Sequence, residues 1–441
     1  MYLLQASSTP ACTLPPQLLA LVLARLEPAE RLGTMARVCS TWHAAAVIAT
    51  NSITASGPMW RVLRSGINQV QASALSGWLQ AHAAAAALDS LAVQGDRWNF
   101  AILQLPVQQL ASLRSLDLER ITVAVQGRED AQAAFPDLPP ELSGITRLRL
   151  WDADVGLSTL PAFTNLRHLA IVPGRPQISS LELSGLLQLT HLRLSQAYAQ
   201  DAVLASLTSL TCLQELEVDG STYTANGLAA LPASLTKLCV SGTITLAPGS
   251  TPAVAQLTAL QWLEVTYAAG FSTAVLRSMS SLQHLAVRSA SLLPAATGDD
   301  DNQDSEESDE EEAREVDLSV LRGLTQLQHL ELPVGGAEHA AADPEADVAA
   351  LTASSQLTCL DIAGLVEQQH YCSIFPEGRR LPELRELRAT MGLLGSSGDA
   401  EALTQCCPNL ERLEVDTGRC VYTWCCMVRS KIVSSAAAPR P

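Results

Sequence analysis

Few side chains in this sequence are equipped for strong, oriented chemistry, and those that are recur at intervals of two. Arg147, Arg149 and Trp151 alternate, as do His191 and Arg193, then Glu215, Glu217 and Asp219, with Lys237, Cys239, Trp262 and Glu264 further on. Alternate residues share a face only in an extended strand. Guanidinium forks bind carboxylates and phosphates through paired hydrogen bonds. Tryptophan supplies a broad apolar anchor, and Arg and Trp are the residue types that most often dominate binding energy. This is the chemistry of recognition. Catalytic spacings are missing, because the chain carries no P-loop, strand-anchored G-x-G-x-x-G, G-x-S-x-G or H-E-x-x-H motif. Glu331, Asp361 and the eight histidines all read as positions on a repeated face. The chain is therefore read as non-catalytic, without a cofactor.

A recurring leucine frame must position these residues. Leu-x-x-Leu-x-Leu is spelled at Leu113/Leu116/Leu118, Leu166/Leu169/Ile171, Leu189/Leu192/Leu194, Leu213/Leu216/Val218, Leu260/Leu263/Val265 and Leu410/Leu413/Val415. The first residue of each frame is an anchor, at 88, 113, 145, 166, 189, 213, 235, 260, 282, 327, 357, 384 and 410. From 145 to 282 the anchors advance by about 23 residues, inside the roughly 20 to 29 of one repeat class. A further apolar residue often precedes the anchor by three, as at Leu110, Phe163, Leu186, Leu210, Leu257, Met279 and Leu324. One such unit cannot bury its stripe alone, whereas stacked units make a continuous core with the alternating part as a short parallel strand. The turn residues after the frame, as in Asp219-Gly220-Ser221 and Ser241-Gly242-Thr243, break helices and suit a strand exit.

Over roughly residues 75 to 418 the chain resembles the leucine-rich-repeat family. The resemblance implies an α/β solenoid, a parallel-sheet horseshoe whose concave face binds. Frame leucines then point inward, and residues two, four and six after each anchor point outward. The outward sets are Arg147/Arg149/Trp151, His168/Ala170/Val172, His191/Arg193/Ser195, Glu215/Glu217/Asp219, Lys237/Cys239/Ser241 and Trp262/Glu264/Thr266. The expected substrate-binding residues among them are Arg147, Arg149, Trp151, His168, His191, Arg193, Glu215, Glu217, Asp219 and Trp262, in two adjoining patches, one cationic and one anionic. The family's asparagine after the strand is replaced by Ile121, Ala153, Gly174, Ala197, Ser221, Thr243 and Ala268. The loops must therefore satisfy their backbone groups another way.

Residues 14 to 46 differ in kind. Leu14-Pro15, the leucine-rich run Leu18/Leu19/Val22/Leu23/Leu26, Pro28-Ala29-Glu30-Arg31-Leu32 and Val38-Cys39-Ser40-Thr41-Trp42 read as three short helices, with Pro15 and Pro28 at first-turn positions. This pattern resembles an F-box. The resemblance implies docking to a small Skp-type adaptor, and through it a cullin ligase, by Pro15, Leu18, Leu19, Val22, Leu26, Val38 and Trp42. It would make the chain the substrate-recognition subunit of a Skp–cullin–F-box type ubiquitin ligase, holding an unknown protein substrate on the repeats. The alternative is a leucine-rich-repeat interaction scaffold whose first helices only cap the stack. Gln17 and His43 depart from the acidic and basic residues common at those places.

The organisation expected is a disordered stretch at 1–13, the helical module at 14–50, a connector at 51–74, repeats at 75–418 with an acidic disordered insert at 295–317, and an irregular tail at 419–441. Of the net charge of −17, residues 299 to 315 hold 11 acids and one arginine. They fall in the one oversized step, 282 to 327, and Ser308 precedes three acids as an acid-directed kinase prefers. The remaining balance gives no basic surface for a nucleic acid. No apolar run reaches the length of a membrane span, so no membrane partner is expected. Eleven cysteines without periodic pairing point to reduced thiols, hence the cytoplasm or nucleus, and their spacing does not suit a metal.

Overall fold

The computed structural model describes residues 19, 20, 23, 44–47, 49–55, 68–96, 101–125, 137–153, 155–172, 182–195, 201–245, 256–269, 273–288, 290–291, 318–332, 348–363, 374–376, 378–390, 397–416 and 421–425. The chain divides into two compact units, residues 1–193 and 194–441.

The first unit contains β1 (Ser52–Ala55), α1 (Gln69–Ala86), β2 (Ser90–Gln94), β3 (Ala101–Leu105), β4 (Ser115–Glu119), β5 (Ile121–Val125), β6 (Arg147–Trp151) and β7 (His168–Val172), and it ends inside β8 (His191–Ser195). Strands β1, β2, β4, β6 and β7 pair in that order, all parallel. The second unit continues with β9 (Glu215–Thr224), β10 (Lys237–Thr245), β11 (Trp262–Ala269), β12 (His284–Val287), β13 (Ala290–Ser291), β14 (His329–Glu331), β15 (Cys359–Asp361), β16 (Glu386–Thr390), β17 (Arg412–Asp416) and β18 (Val421–Cys425). Its ladder is parallel from β9 to β17, with β13 a short extra partner of β11. All thirteen anchors stand two residues before a strand. Each unit has the α/β leucine-rich-repeat fold.

The leucine frame does what its spacing dictates. Leu113, Leu116 and Leu118 are at most 1 % exposed, and the frame residues of the later repeats are buried with them except Leu410, which is half-buried. Each such side chain removed from water contributes about 1.5–3 kcal/mol. The apolar residue three before the anchor closes a turn, for the anchor's N–H donates back to its carbonyl, as Leu166 does to Phe163 and Leu213 to Leu210. Short 3₁₀ turns such as Val107–Leu110, Leu160–Ala162 and Leu207–Ser209 then return the chain in few residues.

Neighbouring repeats are tied by a second, less visible row. The carbonyl one residue after an anchor repeatedly accepts two N–H groups from the next repeat: Arg114 takes Thr146 and Arg147, Arg167 takes Thr190 and His191, and Gln283 takes Gln328 and His329. Where that residue is threonine its hydroxyl donates to the same carbonyl, as Thr146 Oγ1 does to Arg114 and Thr190 Oγ1 to Arg167. The missing asparagines are replaced by backbone. Arg120 N–H donates to the Trp151 carbonyl and Asp152 N–H to that of Val172.

Several elements escaped the sequence reading. The connector carries β1 and the start of α1, and the tail carries β18, which closes the second ladder by pairing antiparallel with β17. Strands β3 and β5 form a separate parallel pair. Helix α1 begins at a reciprocal cap, Asn68 and Gln71 exchanging side-chain-to-N–H bonds of 3.0 Å. It then covers the open edge of β3, where Gln69 bonds both the N–H and the carbonyl of Ile102 and Ser76 accepts from Gln104 N–H. Near the start of the chain, Leu19, Ala20 and Leu23 pack with Ala45 and Ala46 in one buried cluster. The acidic run 299–315 lies outside the described residues.

Candidate functional site

Residues two, four and six after each anchor form the exposed face of each ladder, as the alternation requires. In β6 the burial runs exposed, buried, exposed, buried, half-buried, and in β4, β7 and β8 the same phase holds until Ser195, which is buried.

In the first unit this face gathers the expected cationic residues. Trp151 is held by two guanidinium groups, with the Arg149 and Arg193 carbons 5.1 and 5.3 Å from its ring centroid. Arg147 is in register with His168, whose ring lies 4.2 Å from that of His191. Opposite Arg149 across the β6–β7 pair stands only Ala170, so a short side chain lies on the strand between the two arginines' strands. Arg149 also reaches Asp117 at 3.3 Å, and partial burial raises the Asp117 carboxyl above its ordinary range against the pull of Arg149. Glu119 pairs with Arg120 beside it. The cluster thus presents more guanidinium than carboxylate, around one aromatic ring.

The second unit holds the anionic strip and more. Glu215, Glu217 and Asp219 align in register with Lys237, Cys239 and Ser241, and Lys237 Nζ is 4.0 Å from Glu215. Lys237 also lies over Trp262, 5.3 Å from its centroid. Trp262 stacks on His284 at 3.4 Å and 8°, and His284 on His329 at 4.0 Å and 17°. One row thereby carries three stacked rings across β11, β12 and β14. Burial lowers the His284 imidazole to about 3, helped by His329, Arg288 and Lys237, and burial also lowers His329 against the pull of Glu331 and Asp361. In the next row β12 has only Ala286, which is buried, and Arg288 spans the space to bind Glu264 at 2.8 Å and Glu331 at 3.4 Å. Arg388 repeats the arrangement, 3.3 Å from Asp361 and 3.7 Å from Glu414, with Arg412 also on Glu414.

Two thiols lie on this face. Burial pushes the Cys239 thiol up to about 11 and that of Cys359 up to about 12, with Glu264 and Glu386 adding to each, so both stay protonated at neutral pH. No group of three or more possible metal ligands occurs among the described residues. No helix among them is long and apolar enough to cross a membrane.

The outward sets predicted above end at Thr266. The same step of two, four and six from anchors 282, 327, 357 and 384 leads directly to His284, Arg288, His329, Glu331, Cys359, Asp361, Glu386 and Arg388. Of the residues assigned to an adaptor, Pro15, Leu18, Val22, Leu26, Val38 and Trp42 lie outside the described residues, and Leu19 is 3 % exposed within its own cluster.

Solved structures with this repeated geometry include an internalin from Listeria monocytogenes, at 15 % identity and a TM-score of 0.50, covering 91 % of this chain and 97 % of that one. The plant peptide hormone receptor RGFR1 in complex with RGF2 aligns at 16 % identity and a TM-score of 0.43, covering 75 % of this chain and 47 % of the receptor. A leucine-rich-repeat protein of Leptospira interrogans aligns at 14 % identity and a TM-score of 0.36, covering 75 % of this chain and 84 % of that one. The likeness to the internalin is one of fold. No family model matches the sequence, and no curated protein matches it.

Proposed function

We propose that the chain is a docking protein whose exposed sheet face captures a segment of another protein. The observation that carries this is Trp151 held between Arg149 and Arg193, with Arg147 and two imidazoles beside it. A cation held over an exposed ring gains about 0.5–1 kcal/mol, so the three groups are partly ordered before a ligand arrives. The surface fits carboxylates or phosphates next to an apolar side chain. An incoming anion competes with Asp117 for Arg149, which makes binding sensitive to salt.

In its finer form the proposal makes the chain the substrate-recognition subunit of a Skp–cullin–F-box type ligase, with residues 14–46 taking the adaptor. The support is the pattern Leu14-Pro15, Leu18, Val22, Leu26 and Val38-Cys39-x-x-Trp42. Its mechanism is proximity, holding a substrate near a ubiquitin-loaded enzyme. The cysteine usage supports the cytoplasm or nucleus as its place, where such an adaptor works.

Two variants of the full chain test the two halves separately. Leu18→Ala with Trp42→Ala is expected to abolish co-purification with a Skp-type adaptor while the melting transition of the repeats persists, since apolar anchors are typically worth about 2 kcal/mol or more at an interface. Undiminished adaptor binding, or none by the wild type, leaves the interaction scaffold as the reading. The second variant combines Arg147→Glu, Arg149→Glu, Arg193→Glu and Trp151→Ala. Loss of a co-purified partner that the wild type holds less tightly at higher salt is the expected result, and retention of every partner removes the patch from the proposal.

A further inference from the structure

We propose that the exposed sheet face of the second unit, centred on Trp262, docks a protein segment carrying arginine or lysine beside an apolar side chain. This site is separate from the cationic cluster of the first unit, and it does not depend on the function proposed for that cluster.

Trp262 is the one exposed large apolar residue among the described residues of the second unit. Stacking fixes its ring on His284, which is itself stacked on His329, so little side-chain freedom remains to be lost when a partner packs on it. Rigid aromatic residues of this kind are where interface energy concentrates.

Charge then selects the partner. Glu264 and Glu331 share the single guanidinium of Arg288, which leaves that trio one negative charge in excess. On one side of Trp262, three carboxylates of β9 face the lone lysine of β10. On the other, Asp361, Glu386 and Glu414 stand against Arg388 and Arg412, with Glu386 exposed and in register with Arg412. The two stacked imidazoles add no compensating charge at neutral pH. A cationic segment supplies what the face lacks, and complementary charge both speeds encounter and rejects acidic competitors.

The face already uses guanidinium groups to join its carboxylates. Buried Ala286 leaves a space in the carboxylate row, and Arg288 already lies in it with Glu264 at 2.8 Å and Glu331 at 3.4 Å. Arg388 sits between Asp361 and Glu414 in the same way, so the repeat places a fork between two carboxylates twice. A cationic segment lying along this row packs its apolar side chain on Trp262 and sets its charge against the carboxylate excess of the face.

The test is fluorescence anisotropy with the full chain and a labelled octapeptide of alternating Leu and Arg, beside its Leu–Glu counterpart, at low and high salt. The expected results are binding of the Leu–Arg peptide alone, weakening as salt rises, with Trp262→Ala lowering affinity about tenfold or more. Trp262→Phe is expected to keep most of the binding, and Glu386→Lys to reduce it several-fold with a shallower salt dependence. Glu386 holds no stacked ring or clamp, so this variant remains informative if Trp262→Ala misfolds. The first-unit quadruple variant is expected to bind the Leu–Arg peptide as the wild type does. The proposal is overturned if the Leu–Arg peptide does not bind, if the Leu–Glu peptide binds equally, or if Trp262→Ala and Glu386→Lys both bind as the wild type.

Discussion

His284 shows how a repeat sets the chemistry of a single residue. Placed two positions after its anchor, it meets Trp262 on one side and His329 on the other, with Lys237 and Arg288 nearby, Cys359 and Glu386 further along its own row, and Glu264, Glu331 and Asp361 in the next. Burial and these cations make the charged imidazole unfavourable, and its pKa falls from 6.5 to about 3. The sign of the consequence is fixed by linkage. The unfolded chain takes up a proton near the ordinary value while the folded chain does not, so the contribution is complete above 6.5 and shrinks steadily as pH falls toward the folded value. His329 acts in the same direction, reduced by Glu331 and Asp361. His284→Phe keeps a ring in the stack and removes the titration. Denaturant unfolding at several pH values should show wild type losing stability relative to this variant between pH 7 and pH 5. A constant difference across that range would mean the imidazole is not held neutral.

At the scale of elements, the leucine frame was legible because each repeat restates it, and burial of the strand leucines at the same positions in copy after copy fixes the phase. The outward residues followed from that phase alone, which is why Arg147, Arg149, Trp151 and Arg193 fall on one face as read. Pairing between rings and charges was not legible. That Trp262, His284 and His329 stack depends on the parallel register of β11, β12 and β14, and 41 residues separate the last two strands. Elements outside the repeat left weaker traces. Helix α1 has few polar marks along its alanine-rich length, and β1, β3, β5 and β18 lie beyond the leucine frame. The end of α1 gives a specific prediction. Ala87, exposed and just past the helix, has φ 47°, the left-handed conformation that glycine takes at this position without steric cost. An alanine there costs roughly 1 kcal/mol or more. Ala87→Gly should therefore raise the stability of the first unit by up to about 1 kcal/mol, measured by denaturant unfolding, after the greater chain entropy of glycine is subtracted. Destabilisation would show that the backbone of this turn is relaxed with a side chain in place.

For the molecule as a whole, the question is how the second unit's ladder tolerates the oversized step between anchors 282 and 327. The repeats on either side behave as direct neighbours. His284, Leu285 and Ala286 pair in register with His329, Leu330 and Glu331, and the Gln283 carbonyl accepts Gln328 and His329 N–H at 2.7 and 3.0 Å. Ring stacking between the two histidines and the Arg288–Glu331 pair add contacts across the same junction. These ties, all among described residues, come from positions outside 299–315. That acidic run has no apolar side chains to bury apart from one alanine, so it has little with which to offset the entropy of being ordered. Closing a shorter connection instead of a longer one changes the loop entropy by less than about 0.6 kcal/mol for a halving of length. Deleting residues 299–315 removes 11 acids against one arginine and should leave the melting temperature within a few degrees of wild type, or slightly above it at low salt as repulsion is relieved. Calorimetry of the deleted chain at two salt concentrations checks this. A fall of many degrees would place the acidic run inside the stack, and the junction between β12 and β14 would then need it to hold register.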